Sequence, residues 1–309
     1  MIRDDAPHAK NDGDTVIDLA RLCAVAARHG LPLPDALPRP WTGATSRVYP
    51  CGDMVIKIPF PEPAAIDAVR IDAHIAPVGR ALGVTTPEMI AFDDTLDVLP
   101  VPFSIVRRIR RAEPLDRHRA GETTWRAVGR EIALVHQVRD ADAVPVPLRS
   151  FRQSPEVDPR PWVDELRARV VLTDRDARWL RDLLDALAPH VLTDVPLTLC
   201  HGDINAANVM VDTRDGRFRA LIDWAGAGWL DPVWDLAGVP FAAVPSLLAG
   251  HREVAPLPLD DTAEARVCWC QVQTRLFTAR AAPIGDLGPH IDQVRRFAQA
   301  ADLLRRGPR

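Results

Sequence analysis

Apolar positions along the chain recur with two different spacings, and their order predicts the architecture. Leu19, Leu22, Cys23 and Ala26 stand three or four apart, the stripe of an amphipathic helix, with Asp14 placed to cap it and Gly30 to end it. A proline-rich arm, Leu31 to Pro40, follows. Short runs then take over. Arg47 to Pro50 and Met54 to Ile58 predict two strands joined by a tight Gly52-Asp53 turn. Pro63 to Leu82 reads as a helix that Pro77 should kink or split. Strands at Glu88 to Phe92 and Phe103 to Arg107 complete a small sheet.

Beyond Arg107 the spacing is mostly helical. Glu122 to Val138 carries Trp125, Val128, Ile132 and Val135 at near-helical intervals. Ala141 to Pro161 is a proline-rich loop, long enough to be functional or mobile. Helices are expected at Pro161 to Val171, Asp174 to His190, Pro245 to Gly250, Asp261 to Ala281 and Asp286 to Arg305. A sheet-bearing first part and a mainly helical second part predict an α+β fold.

One stretch of the second part breaks the helical pattern: Leu199 to Asp223, LCHGDINAANVMVDTRDGRFRALID. Apolar runs at Val209 to Val211 and Phe218 to Ile222 flank a polar, glycine-containing turn, which reads as a hairpin. That hairpin brings Asp203, Asn208 and Asp223 to one end of a small sheet. Two carboxylates and an amide form an oxygen-only set, suited to a hard cation such as Mg²⁺ and to phosphoryl transfer. Only three asparagines occur in the chain, Asn11, Asn205 and Asn208, and two of them lie in this loop. The plainer alternative is a Gly-Asp turn capped by asparagine. His201 stands two residues before Asp203, but no second His-x-x-x-His completes a hydrolase metal site; it is expected to orient the loop through the backbone or Asp223.

Lys57 adds to this picture. The chain has only two lysines, Lys10 and Lys57, in an otherwise arginine-rich set of cations. Lys57 lies between Ile56 and Ile58 on a strand, so it faces away from both. A compact ammonium makes a point contact with phosphate that a guanidinium fork does not reproduce. A lysine snorkelling at a sheet edge is the alternative.

HGDINAANV followed by LIDWAGAGWLDPVWDLA resembles the aminoglycoside phosphotransferase family, small-molecule kinases with a bilobal protein-kinase-like fold. The resemblance covers nearly the whole chain after about residue 14. It implies an N-lobe over 14–107 and a C-lobe over 108–309, with ATP or GTP as co-substrate alongside Mg²⁺. By the same resemblance, Asp203 is the base or hydroxyl orienter and Asn208 and Asp223 hold metal. Lys57 grips the phosphates, and the loop Gly43 to Ser46 covers them, with the Ser46 hydroxyl as a donor. The helix acid paired with Lys57 falls on Asp72, where the family usually has Glu; Asp67 and Glu62 are rivals. Val106 to Ile109, including Arg107, is the expected hinge whose backbone binds the base. Arg107, Arg108, Arg110 and Arg111 read equally well as a solvated basic run or a substrate rim. His136 is expected to be structural, and Asp231 and Asp235 to be braces.

The segment Trp224 to Trp229 is too short for a phosphorylated activation loop, which implies an unswitched small-molecule kinase. The implied partner is a hydroxylated small molecule, foremost an antibiotic. Metabolite kinases for choline-like, sugar or amino-alcohol substrates share the same machinery, and a nucleotide-binding regulator without turnover is a further alternative. Acceptor-pocket candidates are the acids Glu253, Asp260, Asp261 and Glu264, which helix capping explains equally well. The aromatics Trp229, Trp234, Trp269 and Phe277 are candidates too, and core positions at helical spacing are the plainer reading.

Bulk properties narrow the class further. At 309 residues the chain buries a substantial core. A formal charge of −4 gives no basic excess for nucleic acid. No run approaches the roughly 18 apolar residues of a membrane span. Residues 1–13 are polar, expected to be disordered, and lack a signal-peptide core, so a cytoplasmic monomer or homodimer is expected. The five scattered cysteines form no Cys-x-x-Cys pair and predict neither a zinc site nor a disulfide framework.

Overall fold

The computed structural model describes residues 17–116, 121–153, 157–191, 194–281 and 287–304. The expectation of disorder over 1–13 and the Asp14 cap lie outside those residues. The first helix, α1 (Leu19–Arg28), is capped instead by Asp18, whose carboxylate accepts the Arg21 N–H at 2.8 Å.

Five strands form the first sheet: β1 (Trp41–Thr42), β2 (Ser46–Cys51), β3 (Met54–Pro59), β4 (Met89–Asp93) and β5 (Phe103–Arg107). Their order is β1-β2-β3-β5-β4 and every pair is antiparallel. The β2–β3 hairpin turns at Gly52, as expected, and pairs Val48 with Lys57. Alternation puts Ile56, Ile58 and Ile105 in a core closed by Leu22 and Val25 of α1. Lys57 emerges on the opposite face.

Helix α2 (Pro63–Ala81) runs unbroken through Pro77, so the proline does not split it. The Pro77 ring is exposed, so the helix loses one hydrogen bond on its wet side and keeps its buried face. That face serves both halves of the molecule: Val69 is buried near the sheet, while Ile75 and Ala76 join the large C-terminal core beside Trp224.

The rest is mainly helical, with α3 (Glu122–Val135), α4 (Arg160–Ala168), α5 (Asp174–Val191), α6 (Val244–Val254), α7 (Ala263–Ala281) and α8 (Gly288–Ala300). Helices α3 and α6 touch backbone to backbone. A Cβ on Gly129 would collide with the Leu247 carbonyl, and one on Gly250 with the Arg126 carbonyl. Two small sheets cap this part. One is β10-β9-β6, from β6 (Ala112–Pro114), β9 (Val209–Asp212) and β10 (Phe218–Leu221). The other is β7-β11-β8, from β7 (Arg149–Ser150), β8 (Thr198–Cys200) and β11 (Gly228–Leu230). β7 falls inside the segment expected to be loop, where it pairs in parallel with β11. No described helix is long and apolar enough to cross a membrane.

Candidate active site

β8 ends at Cys200 and the chain turns at Gly202, whose φ of 77° suits glycine. A side chain there would strike the Gly226 carbonyl, so the turn is bound to the segment after Asp223. Asp203 follows. Its Oδ1 accepts Asn205 Nδ2 at 2.9 Å and its Oδ2 accepts Asn208 Nδ2 at 2.8 Å. Both loop asparagines thus orient the one carboxylate. Asn205 also caps the short turn of helix beyond it, accepting the Ala207 N–H at 2.8 Å. The hairpin closes as expected: the Ile222 N–H donates to the Asn208 carbonyl at 3.0 Å, next to Asp223.

Asp223 adopts a left-handed backbone (φ 66°, ψ 72°), uncommon for a non-glycine residue. Its Oδ1 accepts Lys57 Nζ at 2.9 Å, and Asp72 Oδ2 accepts the same ammonium at 3.0 Å. Burial opposes the Lys57 charge, but the Asp72 and Asp223 carboxylates outweigh it and hold the ammonium above its ordinary range. Asp72 is therefore the helix acid that meets Lys57. Its rivals lie elsewhere: Asp67 pairs with exposed Arg70 at 3.5 Å, and Glu62 precedes the first turn of α2.

The loop is braced from below by a buried polar chain. Asp235, fully buried, accepts the backbone N–H groups of His201 (2.9 Å) and Gly202 (2.6 Å). His136 Nε2 meets its Oδ2 at 3.0 Å, and His136 Nδ1 meets His251 Nε2 at 3.0 Å. His251 Nδ1 faces the Ala255 carbonyl at 2.8 Å and so must donate, which leaves its Nε2 as an acceptor. Both ring nitrogens of His136 therefore donate. Burial works against the Asp235 charge, but His136, the His201 ring and the Gly202 N–H outweigh it and lower the carboxyl. Burial, then the neighbouring His136, pushes His251 down to about 4. His201 acts as expected, through Nε2 to the Ile222 carbonyl at 3.1 Å.

His136, Cys200 and Asp235 also lie close enough to share a metal ion. They do not suit one. The carboxylate and imidazole are committed to each other, and burial, then the Asp235 charge, holds the Cys200 thiol far from its thiolate. The hard-cation set is different. Asn208 points its Nδ2 at Asp203, and among the described residues nothing donates to its Oδ1. Asp223 uses only Oδ1 on Lys57. An amide oxygen and a carboxylate oxygen, both without protein donors, fit Mg²⁺.

The remaining expectations part company. Ser46 is buried at the start of β2, beside the turn that Gly43 N–H closes on its carbonyl at 2.9 Å. Arg107 donates its backbone N–H to the Glu88 carbonyl at 2.9 Å and its Nε to the Glu88 carboxylate at 2.6 Å, so its backbone donor is already engaged. Arg110 pairs with Asp53, and Arg108 lies over the Trp41 ring at 5.4 Å. These arginines are surface partners of β1 to β4. Three of the four acids expected near an acceptor pair with arginines, Glu253 with Arg126 and Arg130, and Asp260 and Glu264 with Arg252, while Asp260, Asp261 and Glu264 also stand in first helical turns. Trp269 is core and Phe277 is exposed. Trp229 and Trp234 are half-buried, and Trp234 meets Phe151 edge-on at 5.3 Å.

Three residues carry more than the sequence suggested. His251 completes the buried chain, Arg266 is wholly buried against Asp231 at 2.5 Å, and Arg149 crosses the floor of the site to the Gly226 carbonyl at 2.8 Å. Asp231 and Asp235 are braces, as expected.

With this geometry in hand, the sequence model of the phosphotransferase enzyme family matches residues 37–266, well over half of the chain. The chain belongs to that family. Solved structures carry the same fold. A GDP complex of an aminoglycoside 2′-phosphotransferase variant has a TM-score of 0.65 at 14% identity, covering 94% of this chain and 97% of that one. A choline/ethanolamine kinase family protein from Mesorhizobium loti gives 0.58 at 20% identity, with 94% of each chain covered. A macrolide 2′-phosphotransferase from Brachybacterium faecium gives 0.55 at 20% identity, covering 94% and 99%. Identities this low carry the kinase-like α+β fold and no more. Among curated proteins, a 3-methyl-2-oxobutanoate hydroxymethyltransferase from Burkholderia multivorans is 31% identical over 113 residues. The chain spans 38% of the length of that relative, too little to assign this chain its activity.

Proposed function

We propose that the chain transfers the γ-phosphoryl group of ATP or GTP to a hydroxyl group of a small molecule, with Mg²⁺. The observation that carries this reading is the grouping of Lys57, Asp72 and Asp223 by hydrogen bonds, with the Asp203–Asn208 pair joined to the same strand end through the Ile222 N–H. The acceptor oxygen bonds to the γ-phosphorus while the bond from that phosphorus to the β–γ bridging oxygen breaks, and the nucleoside diphosphate leaves. Asp203 orients the hydroxyl and takes its proton. Lys57, held by Asp72, meets the phosphates as a point charge. Asn208 Oδ1 and Asp223 are the groups that would hold Mg²⁺, which neutralises charge on the phosphate oxygens when bound. Most of the rate then comes from positioning and charge neutralisation.

We place the lobe boundary after Arg107, with the base bound by backbone beyond it, and the protein in the cytoplasm, where its nucleotide is. The acceptor is proposed to be an antibiotic, a reading supported by the aminoglycoside and macrolide phosphotransferases that share the fold. A metabolite alcohol is the second reading, favoured by the choline/ethanolamine kinase family neighbour. A coupled nucleotide-turnover screen with Mg²⁺ tests both, across aminoglycosides, macrolides, peptide and nucleoside antibiotics, choline and simple sugars. Turnover that rises only with an antibiotic class supports the first. Turnover with choline or sugars alone supports the second, and tight nucleotide binding that no acceptor stimulates counts against both.

A further inference from the structure

Arg149 lies within one residue of the Asp203 loop although it comes from a different part of the chain. β7 pairs Arg149 with Gly228 of β11, and β11 pairs Gly228 with Cys200, three residues before Asp203. The Arg149 side chain runs along a channel that glycines keep open. A Cβ on Gly228 would lie 3.0 Å from Arg149 Cγ, and one on Gly202 3.2 Å from Arg149 Nη2. The guanidinium ends on the Gly226 carbonyl, and a Cβ on Gly226 would stand 3.1 Å from the Cβ of Asp203.

Among the described residues no hydrogen bond joins this cation to Asp203, whose oxygens each accept one amide N–H, from Asn205 and Asn208. Among the described residues no carboxylate pairs with it, whereas Arg152, three residues on, has Asp194 at 2.6 Å. One N–H goes to a neutral carbonyl and the residue is exposed, so most of a five-donor fork remains unpaired beside the Asp203 loop. An exposed guanidinium held in place by packing is a ready site for a carboxylate or phosphate, which it grips through parallel N–H bonds. A polycationic acceptor would meet repulsion at this guanidinium, and among the described residues no carboxylate pairs with it to offset that.

We propose that Arg149 forms an oxyanion subsite beside Asp203, and that the acceptor is an alcohol bearing an anionic group, a carboxylate or a phosphate, near the hydroxyl it presents. The proposal rests on the phosphotransfer reading above and narrows it.

The test fills the nucleotide site with MgAMP-PNP and titrates inorganic sulfate by calorimetry into the wild type, Arg149→Gln and Arg149→Met. The methionine variant keeps an unbranched side chain over Gly228, so loss of packing and loss of charge separate. The expected result is one further sulfate bound by the wild type and at least a tenfold weaker affinity in both variants, with unchanged unfolding midpoints. Displacement of that sulfate by glycerate or by glycerol 3-phosphate then identifies the anion as carboxylate or phosphate. A wild type that binds MgAMP-PNP but no further sulfate, or variants that bind sulfate equally well, overturn the subsite. A wild type that binds neither MgAMP-PNP nor MgGMP-PNP overturns the phosphotransfer reading itself, and this inference with it; one that binds only MgGMP-PNP is titrated in that complex.

Discussion

Asp72 reaches across 152 residues of sequence to accept the Trp224 backbone N–H at 2.8 Å, while its other oxygen holds Lys57 at 3.0 Å. One carboxylate thus sets both the phosphate-facing ammonium and the strand turn that presents Asp223. Asp72→Asn keeps an acceptor for Trp224 and removes the charge; Asp72→Ala removes both. Turnover should fall in each, and Asp72→Ala should also lose about 1–3 kcal/mol of stability by leaving a buried N–H unpaired. Steady-state kinetics with parallel urea unfolding checks the split.

Replacing Lys57 by arginine retains charge but not shape. The ammonium sits between two carboxylates in a largely buried slot, and a planar fork is too broad for it. A loss on the order of 10²-fold in kcat/KM for nucleotide is expected, the scale of removing one aligned electrostatic group. A variant as active as the wild type would remove Lys57 from the phosphate site.

Asp203→Ala takes away the base and leaves the nucleotide side intact. Turnover is expected to drop by about 10²–10⁴-fold, with the dissociation constant for MgAMP-PNP essentially unchanged. Single-turnover kinetics and calorimetry measure the two quantities separately.

His251 gives the fold an acid sensitivity with a definite sign. It is 1% exposed, and burial holds it down to about 4 against an ordinary 6.5. Between those values the unfolded chain binds more protons than the folded one, so stability falls as pH drops from about 6.5 through 4. The full span is worth on the order of 3 kcal/mol. His251→Gln can still accept from His136 and does not titrate, so its unfolding midpoint should depend less on pH across that window.

Arg266 has no exposed surface and spends its charge on Asp231, with Thr262 and the Pro258 and Leu259 carbonyls around it. Asp231→Ala strands a buried cation. A loss of about 3–5 kcal/mol is expected in denaturant titration, and a near-neutral result would mean the arginine finds water instead.

What the sequence made legible was local. Asp203, Asn208 and Asp223 stand in one hairpin whose polar and apolar runs fix their placement, and Lys57 stood out as a lysine on a strand in an arginine-rich chain. Asp72 came from the resemblance, by counting back from the segment Gly83 to Pro87 that follows the helix, and its rivals Asp67 and Glu62 were separated from it only by the contact with Lys57. What stayed hidden depends on contacts between distant segments. His136 and His251 meet across 115 residues, and no spacing rule links them. Arg149 sits on a two-residue strand in a proline-rich stretch, and its parallel partner comes almost 80 residues later in sequence. Pro77 does not split α2, because its ring is exposed and the hydrogen bond it forgoes lies on the wet side of the helix. The arginine partners of Glu253, Asp260 and Glu264 also stayed hidden, because ion pairing and helix-start positions draw on the same residue types.

The glycine contact between α3 and α6 limits how this protein can be rebuilt from parts. Gly129 and Gly250 each leave room for the other helix's carbonyls, and the same contact brings His136 to His251. Homologous recombination that swaps one of these helices for a relative's would import a side chain into a space measured for none. The pair must be inherited together. In a shuffled library, crossovers that separate residues 122–136 from 244–255 should be lost among folded survivors, while crossovers before α2 should persist.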